Sequence, residues 1–176
     1  MEVKPYSRYS GSVVSIGNFT YILSKIPEEF KLVANIVDEE TEEQIINLIN
    51  RNKAIELKEI MKCIAGEFNT ELQYKLNDFT FGKIKLGDGM PPEKEEPKYY
   101  NPCVVVINLG TDIEMIFVDT KTKRQFPIMI PRRSMFLFQD KQFKYQRTIA
   151  KRFVDRNDNN DYKRSDRYSL VFKSRK

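Results

Sequence analysis

Apolar positions repeat every second residue in the first part of the chain, every three or four residues in a middle stretch, and every second residue again after that. Near the N-terminus, apolar residues at 13–16 and 19–23 flank a Gly17-Asn18 turn. Alternation around a short turn is typical of paired strands. We therefore predict a strand-rich segment over residues 1–30, which Pro27 ends.

Two helices are predicted over residues 38–66. Thr41-Glu42-Glu43-Gln44 fits a capping box that would begin the first helix. The second helix is predicted from the helical spacing of Leu57, Ile60, Met61 and Ile64, and Gly66 is expected to end it. We interpret both apolar stripes as core faces.

The period of two returns over residues 70–176. The run 104–107 is continuously apolar and β-branched, which predicts a strand buried on both faces. Pro91-Pro92 excludes a central strand. The polar stretch 155–166 is predicted to be a long loop, or a disordered one unless a partner binds it. The other predicted strands lie at 72–76, 79–86, 113–118, 126–130, 135–138, 143–149 and 167–173.

This order predicts one α+β domain spanning residues 1–176. Its expected architecture is a double-stranded β-helix, or jelly roll, preceded by the strand segment and with two helices packed on it.

Charge is distributed unevenly. The chain carries 30 Lys and Arg against 25 Asp and Glu, a net charge of +5, and the excess lies in residues 141–176. A basic end favours an acidic partner such as nucleic-acid phosphate; the alternative is a solvated basic tail. The residues predicted to contact nucleic acid are Lys144, Lys151, Arg152, Arg156, Lys163, Arg164, Arg175 and Lys176, with a second cluster of Lys121, Lys123, Arg124, Arg132 and Arg133.

The chain has no histidine and two cysteines, Cys63 and Cys103. It therefore lacks the usual general base near neutral pH and the commonest ligand of transition metals. Both cysteines lie in apolar surroundings, so we expect buried free thiols and a reducing, cytoplasmic environment. No apolar stretch is long enough for a membrane span, so we expect no membrane partner.

The second half resembles a known family. Gly87-Asp88-Gly89-Met90-Pro91-Pro92, followed by Glu93-Lys94-Glu95 and Pro97-Lys98-Tyr99-Tyr100, is similar to the iron-binding segment of AlkB-type iron/2-oxoglutarate dioxygenases. Later matches in the same order are Asn108-Leu109-Gly110, Pro131–Phe138 with its Ser134-Met135 pair, and Arg167-Tyr168-Ser169-Leu170. The resemblance covers residues 82–175 and implies a jelly roll.

The same resemblance places Glu93, Glu95 and Arg147 at the positions where the family has its two His and one Asp ligands. A guanidinium has no lone pair to offer a metal and stays protonated. We therefore expect no metal, no cofactor and no dioxygenase activity. Instead, Arg147 is predicted to pair with Glu93 or Glu95, because two buried carboxylates without a cation would be strongly destabilising.

The implied 2-oxoglutarate site is altered too. Arg167 is retained, Lys173 stands where the family has a second arginine, and Gly82 and Ile84 replace an Asn-x-Tyr pair. Lysine does not replace bidentate binding by arginine. Two functions remain open: an inactive AlkB-like protein that binds RNA or a ribonucleoprotein such as the ribosome, in a regulatory or dormancy role, and a subunit that binds a protein or uses the emptied pocket for a metabolite.

Overall fold

The computed structural model describes residues 2–5, 12–22, 26–157 and 159–176. Residues 1, 6–11 and 23–25 of the predicted strand segment, and residue 158 of the predicted loop, lie outside the described part. The strands are β1 (Glu2–Pro5), β2 (Ser12–Ile16), β3 (Phe19–Ile22), β4 (Phe30–Val33), β5 (Asp78–Ile84), β6 (Met90–Glu93), β7 (Tyr100–Leu109), β8 (Ile113–Asp119), β9 (Gln125–Ile130), β10 (Ser134–Phe138), β11 (Tyr145–Ile149), β12 (Val154–Asn157), β13 (Asn160–Lys163) and β14 (Arg167–Arg175), and the helices are α1 (Glu39–Asn50) and α2 (Ala54–Phe68).

Two antiparallel sheets form the jelly roll, which confirms the predicted fold class. One sheet has the order β4-β10-β7-β14-β5 and the other the order β6-β11-β8-β9. Apolar side chains from both sheets meet in one core, among them Val106, Phe117, Phe136 and Tyr145. Arg147 of β11 in one sheet and Lys173 of β14 in the other contact the same carboxylate, that of Glu95, which places the candidate site between the two sheets.

The helices cover the outer face of the larger sheet. Leu57 and Met61 of α2 are fully buried against a second core that includes Leu170 and Phe172 of β14. Strand β7 serves both cores, because Val104 and Val106 face the other sheet while Val105 and Ile107 face the helices. This confirms the prediction of a strand buried on both faces.

The predicted helical range of 38–66 differs from the structure by one residue at its start and two at its end, and the predicted capping box at Thr41 does not begin α1. The Asp38 side chain accepts a hydrogen bond of 2.8 Å from the backbone N–H of Thr41, so Asp38 caps α1 and the helix begins at Glu39. Helix α2 continues past Gly66 to Phe68, because the ring of Phe68 packs edge-on against Phe172 at 6.3 Å.

Two further predictions need correction. Residues 72–76 form a loop in place of a strand, since the Asn69 side chain bonds both the N–H and the carbonyl of Leu76. Stretch 155–166 contains the β12-β13 hairpin where a long loop was expected. Its order comes from Asp155, a fully buried carboxylate.

The cysteines differ in exposure. Cys103 is buried as expected, whereas Cys63 is exposed on α2. Strand β6 contains the two prolines and lies at a sheet edge, where a missing N–H is tolerated. No helix in the described ranges combines the length and the apolar character needed to cross a membrane.

Candidate functional site

A charged cluster lies inside the jelly roll at Glu95, Arg147 and Lys173. Side chains alternate along β11, so Tyr145, Arg147 and Ile149 all turn inward. Arg147 donates from Nη1 to Oε2 of Glu95 at 2.9 Å and from Nη2 to Oε1 at 2.7 Å. Lys173 Nζ lies 3.2 Å from Oε1 of the same carboxylate.

The partner predicted for Arg147 is therefore present, and of the two candidates it is Glu95. The side chains of Arg147 and Glu95 are only 5% and 9% exposed, and the two-pronged contact is the strongest geometry for this pair. Glu93 lies opposite Arg147 in the strand register but is exposed to solvent.

The ionisation of Glu95 is controlled by its two cationic neighbours. Burial pushes the pKa of Glu95 upward, but Arg147 and then Lys173 outweigh it, so the pKa lies below its ordinary value. Glu95 is thus ionised at neutral pH, and two cations share its two oxygens. An iron ion does not fit this donor set, because the available carboxylate is already bound by a guanidinium that cannot ligate a metal. Over the described ranges, no group of three or more His, Cys, Asp or Glu side chains is arranged to hold a metal ion.

Arg167 is buried separately from this cluster. Its Nε donates to Oδ1 of Asn108 at 2.9 Å, and Asn108 in turn donates to the backbone carbonyls of Thr111, Ile130 and Pro131. Burial, followed by repulsion from Arg147 and Arg164, lowers the pKa of Arg167 to about 10. Among the described residues no carboxylate lies within ion-pair distance of this guanidinium.

The two positions that the AlkB resemblance assigns to the co-substrate are each engaged by another group of the fold. Arg167 donates to Asn108, and Lys173 is paired with Glu95. Gly82 and Ile84 pair in register with Ser169 and Arg167, yet neither side chain can donate or accept a hydrogen bond.

Six of the thirteen basic residues predicted to contact nucleic acid form ion pairs with acidic residues of the fold. Their pairs are Arg132–Glu42, Arg133–Glu39, Lys144–Glu29, Arg152–Glu114, Arg152–Asp155, Arg156–Asp161 and Arg164–Asp155. The prediction that Arg164 contacts nucleic acid is wrong. Its side chain is 2% exposed, so it cannot reach a phosphate on the surface. It anchors the β12-β13 hairpin instead.

The other predicted basic residues remain on the surface. Lys121, Lys123 and Arg124 are exposed at the β8-β9 hairpin, where the Asp119 side chain accepts from two backbone N–H groups and holds the turn. Lys151, Lys163, Arg175 and Lys176 are also exposed, although Lys176 donates to the carbonyl of Pro97.

A basic cleft lies at the other end of β11. It has a volume of about 680 Å³ and is lined by Lys83, Lys85 and Lys151, with Asp88 as its acidic residue, together with Ile84, Gly89, Met90, Pro91 and Ile149. We call it the lysine cleft. Of its lysines, Lys151 is among the predicted contact residues, whereas Lys83 and Lys85, which flank Ile84 at the end of β5, are not. That spacing of two places both on one face of a strand and was the available signal.

Phe153 is 66% exposed and lies beside this cleft, because its ring contacts Gly87, the residue before Asp88 of the lining. Other aromatic residues of the basic C-terminal region are used in packing: Tyr145 and Tyr168 are buried, and Tyr162 contacts the ring of Phe19 at 4.8 Å. Phe172 is buried and Phe143 is half-buried, so Phe153 is the exposed aromatic residue of this region.

Comparison with known proteins supports the fold. The chain is similar to the crystal structure of a Pseudomonas putida prolyl-4-hydroxylase, with 11% sequence identity and a TM-score of 0.57, over 84% of this chain and 85% of that one. At this identity the likeness shows the jelly-roll fold and no more. No protein-family model matches the sequence, and no curated protein does.

Proposed function

We propose that this chain is an inactive AlkB-like protein that binds RNA or a ribonucleoprotein assembly, with the ribosome as the leading candidate. Loss of catalysis is supported by the Arg147–Glu95 pair, because its two bonds of 2.7 and 2.9 Å occupy the carboxylate that a metal would need. Because such a protein would bind its partner without turnover, we propose a role in regulation or dormancy.

The observation that carries the binding proposal is the lysine cleft beside an exposed aromatic ring. Lys83, Lys85 and Lys151 line one concave surface, and Phe153 is 66% exposed near it. Lysines that line a groove track phosphates, and an exposed ring offers a surface for a base. The exposed cations of the β8-β9 hairpin provide a second contact region.

Affinity measured against salt tests this proposal. A fluorescent single-stranded RNA should bind with a log–log salt slope of roughly −0.7 for each phosphate contact. Co-sedimentation with ribosomes purified from the native source then tests the assembly. A salt-independent affinity, or no binding at low salt, would contradict RNA binding.

The AlkB-like assignment has its own test, through the variant E93H/E95D/R147H. If the ligand positions are right, this variant restores two imidazoles and one carboxylate and should bind Co²⁺ with visible d–d absorption. The variant E93H/E95D, which keeps Arg147, is the matched control and should not. Equal spectra for both would show that Arg147 is not at a ligand position.

A second function, capture of a small anion in the emptied pocket, is favoured by Arg167. This guanidinium is 4% exposed and has an uncharged partner, Asn108. A dicarboxylate would stabilise its charge and raise the melting temperature, and R167Q should abolish that rise. Protein partners contacting the acidic region of residues 1–140 would instead bind with little dependence on salt.

A further inference from the structure

Phe153 has an unusual environment for a phenylalanine. Its side chain belongs to neither apolar core, and the residue is 66% exposed. Its chain neighbour Val154 is 39% exposed, and Leu86, which precedes the Gly87 that the ring contacts, is 46% exposed. Exposed apolar side chains that adjoin one another mark interaction surfaces more often than isolated ones do. The question is which partner this surface fits.

Two contacts position Phe153, one made by its ring and one by its backbone carbonyl. Gly87 has φ +88°, and a Cβ at that position would lie 2.8 Å from Cε1 of Phe153, so the ring rests directly on the glycine. The Phe153 carbonyl accepts from the N–H of Arg164 at 2.9 Å. Arg164 is itself fastened to buried Asp155 by bonds of 2.7 Å.

The charges around the ring favour an anionic partner. Lys85 and Lys151 line the cleft without an ion pair among the described residues, whereas Lys83 lies 3.0 Å from Asp166. Asp88 is the acidic residue of the lining. A concave, lysine-lined surface with one rigid aromatic residue at its edge suits a flexible polyanion that carries flat rings.

We infer that the occupant of this surface is single-stranded nucleic acid, with one base stacked on Phe153 and neighbouring phosphates on Lys85 and Lys151. This rests on the proposed RNA-binding function and narrows it to unpaired strands. Bases in a duplex are stacked on both faces and cannot reach a protein ring, whereas unpaired bases can.

The absence of tryptophan from the chain allows a direct test. In F153W the new indole is the single tryptophan, so quenching of its fluorescence reports contact with a base. A 12-nucleotide single-stranded RNA should quench it, and inorganic polyphosphate, which has charge but no bases, should not. F153A should weaken binding of the same RNA about 5- to 100-fold.

Tyr99 supplies the matched control. It is 46% exposed and has the ammonium of Lys98 at 5.2 Å from its ring, but it does not line the cleft, so Y99A should leave affinity unchanged. Salt-dependent RNA binding without quenching, and with full affinity in F153A, would overturn the stacking site while leaving RNA binding intact. No binding of any RNA at low salt would overturn both.

Two further outcomes would also overturn the inference. A blunt RNA duplex that binds as tightly as the single strand would show that base stacking is not used. A blue shift of the F153W fluorescence with anionic phospholipid vesicles, without quenching by RNA, would assign the patch to a membrane surface.

Discussion

The interior cluster and the lysine cleft lie at different places along the same barrel and treat positive charge in opposite ways. Inside, Arg147 and Lys173 converge on Glu95 at 2.7–3.2 Å. In the cleft, Lys85 and Lys151 line an open surface with one aspartate. Cations that are neutralised within the fold stabilise it, and cations left open are available to a partner. The fold therefore leaves Lys85 and Lys151 without an ion pair among the described residues, whereas Arg147 and Lys173 both contact a buried carboxylate.

The strongest way to break the interior cluster is R147A. Removal of this guanidinium leaves Glu95 buried with Lys173 as its remaining cation, and the free energy of unfolding should fall by about 3–5 kcal/mol. Urea denaturation measures it.

A double variant tests whether the Arg147–Glu95 ion pair itself is needed for stability. E95L/R147M replaces both charges by apolar groups and should recover most of the stability lost in R147A. R156A is the surface control, since Arg156 and Asp161 are both exposed, and it should change stability little. Equal losses in R147A and R156A would show that burial does not strengthen the interior pair.

The cleft is tested by K85E/K151E. Reversal of two charges on a phosphate-binding surface should lower the affinity for single-stranded RNA by at least about tenfold and flatten its salt dependence. Fluorescence anisotropy measures both. K58E/K75E changes the same net charge at exposed positions away from the cleft. Equal weakening by both pairs would mean that net charge, and not the cleft, determines binding.

Acid should destabilise the interior cluster. The pKa of Glu95 is lowered from its ordinary value of 4.5, because Arg147 and Lys173 outweigh burial. The stabilisation is therefore fully present above pH 4.5 and is lost as pH falls through the lower pKa of the folded state. The pKa of Asp155 is lowered likewise, by Arg164 and Arg152 against burial. Thermal melts should show a steep acid limb, and E95Q should make it shallower.

The smallest effect is expected for G87A, which should lower the free energy of unfolding by about 1 kcal/mol. The positive φ of Gly87 disfavours a side chain, and the added Cβ would displace Phe153. The matched control is G66A in α2, where nothing lies within 4 Å of an added Cβ. That change should stabilise the protein by about 0.5–1 kcal/mol. The two effects therefore have opposite signs in denaturant melts, and only G87A should weaken RNA binding.

Local patterns predicted much of the fold correctly. Period-two runs located β7–β11 and β14, and the apolar run 104–107 identified the strand that both cores share. The errors came where a distant contact decides local structure. Asn69 closes the loop at Leu76, and buried Asp155 orders a hairpin in a stretch whose polarity predicted a loop.

Residue identity alone shows that this chain has no histidine and that Arg147 stands where the AlkB resemblance has a histidine ligand. The chemistry of a guanidinium does not depend on the fold. The three-dimensional structure shows which carboxylate Arg147 binds, that Arg164 is buried, and that Lys83 and Lys85 line the same cleft as Lys151. The reason is that pairing and exposure depend on residues far apart in sequence, which alternation along a strand cannot reveal.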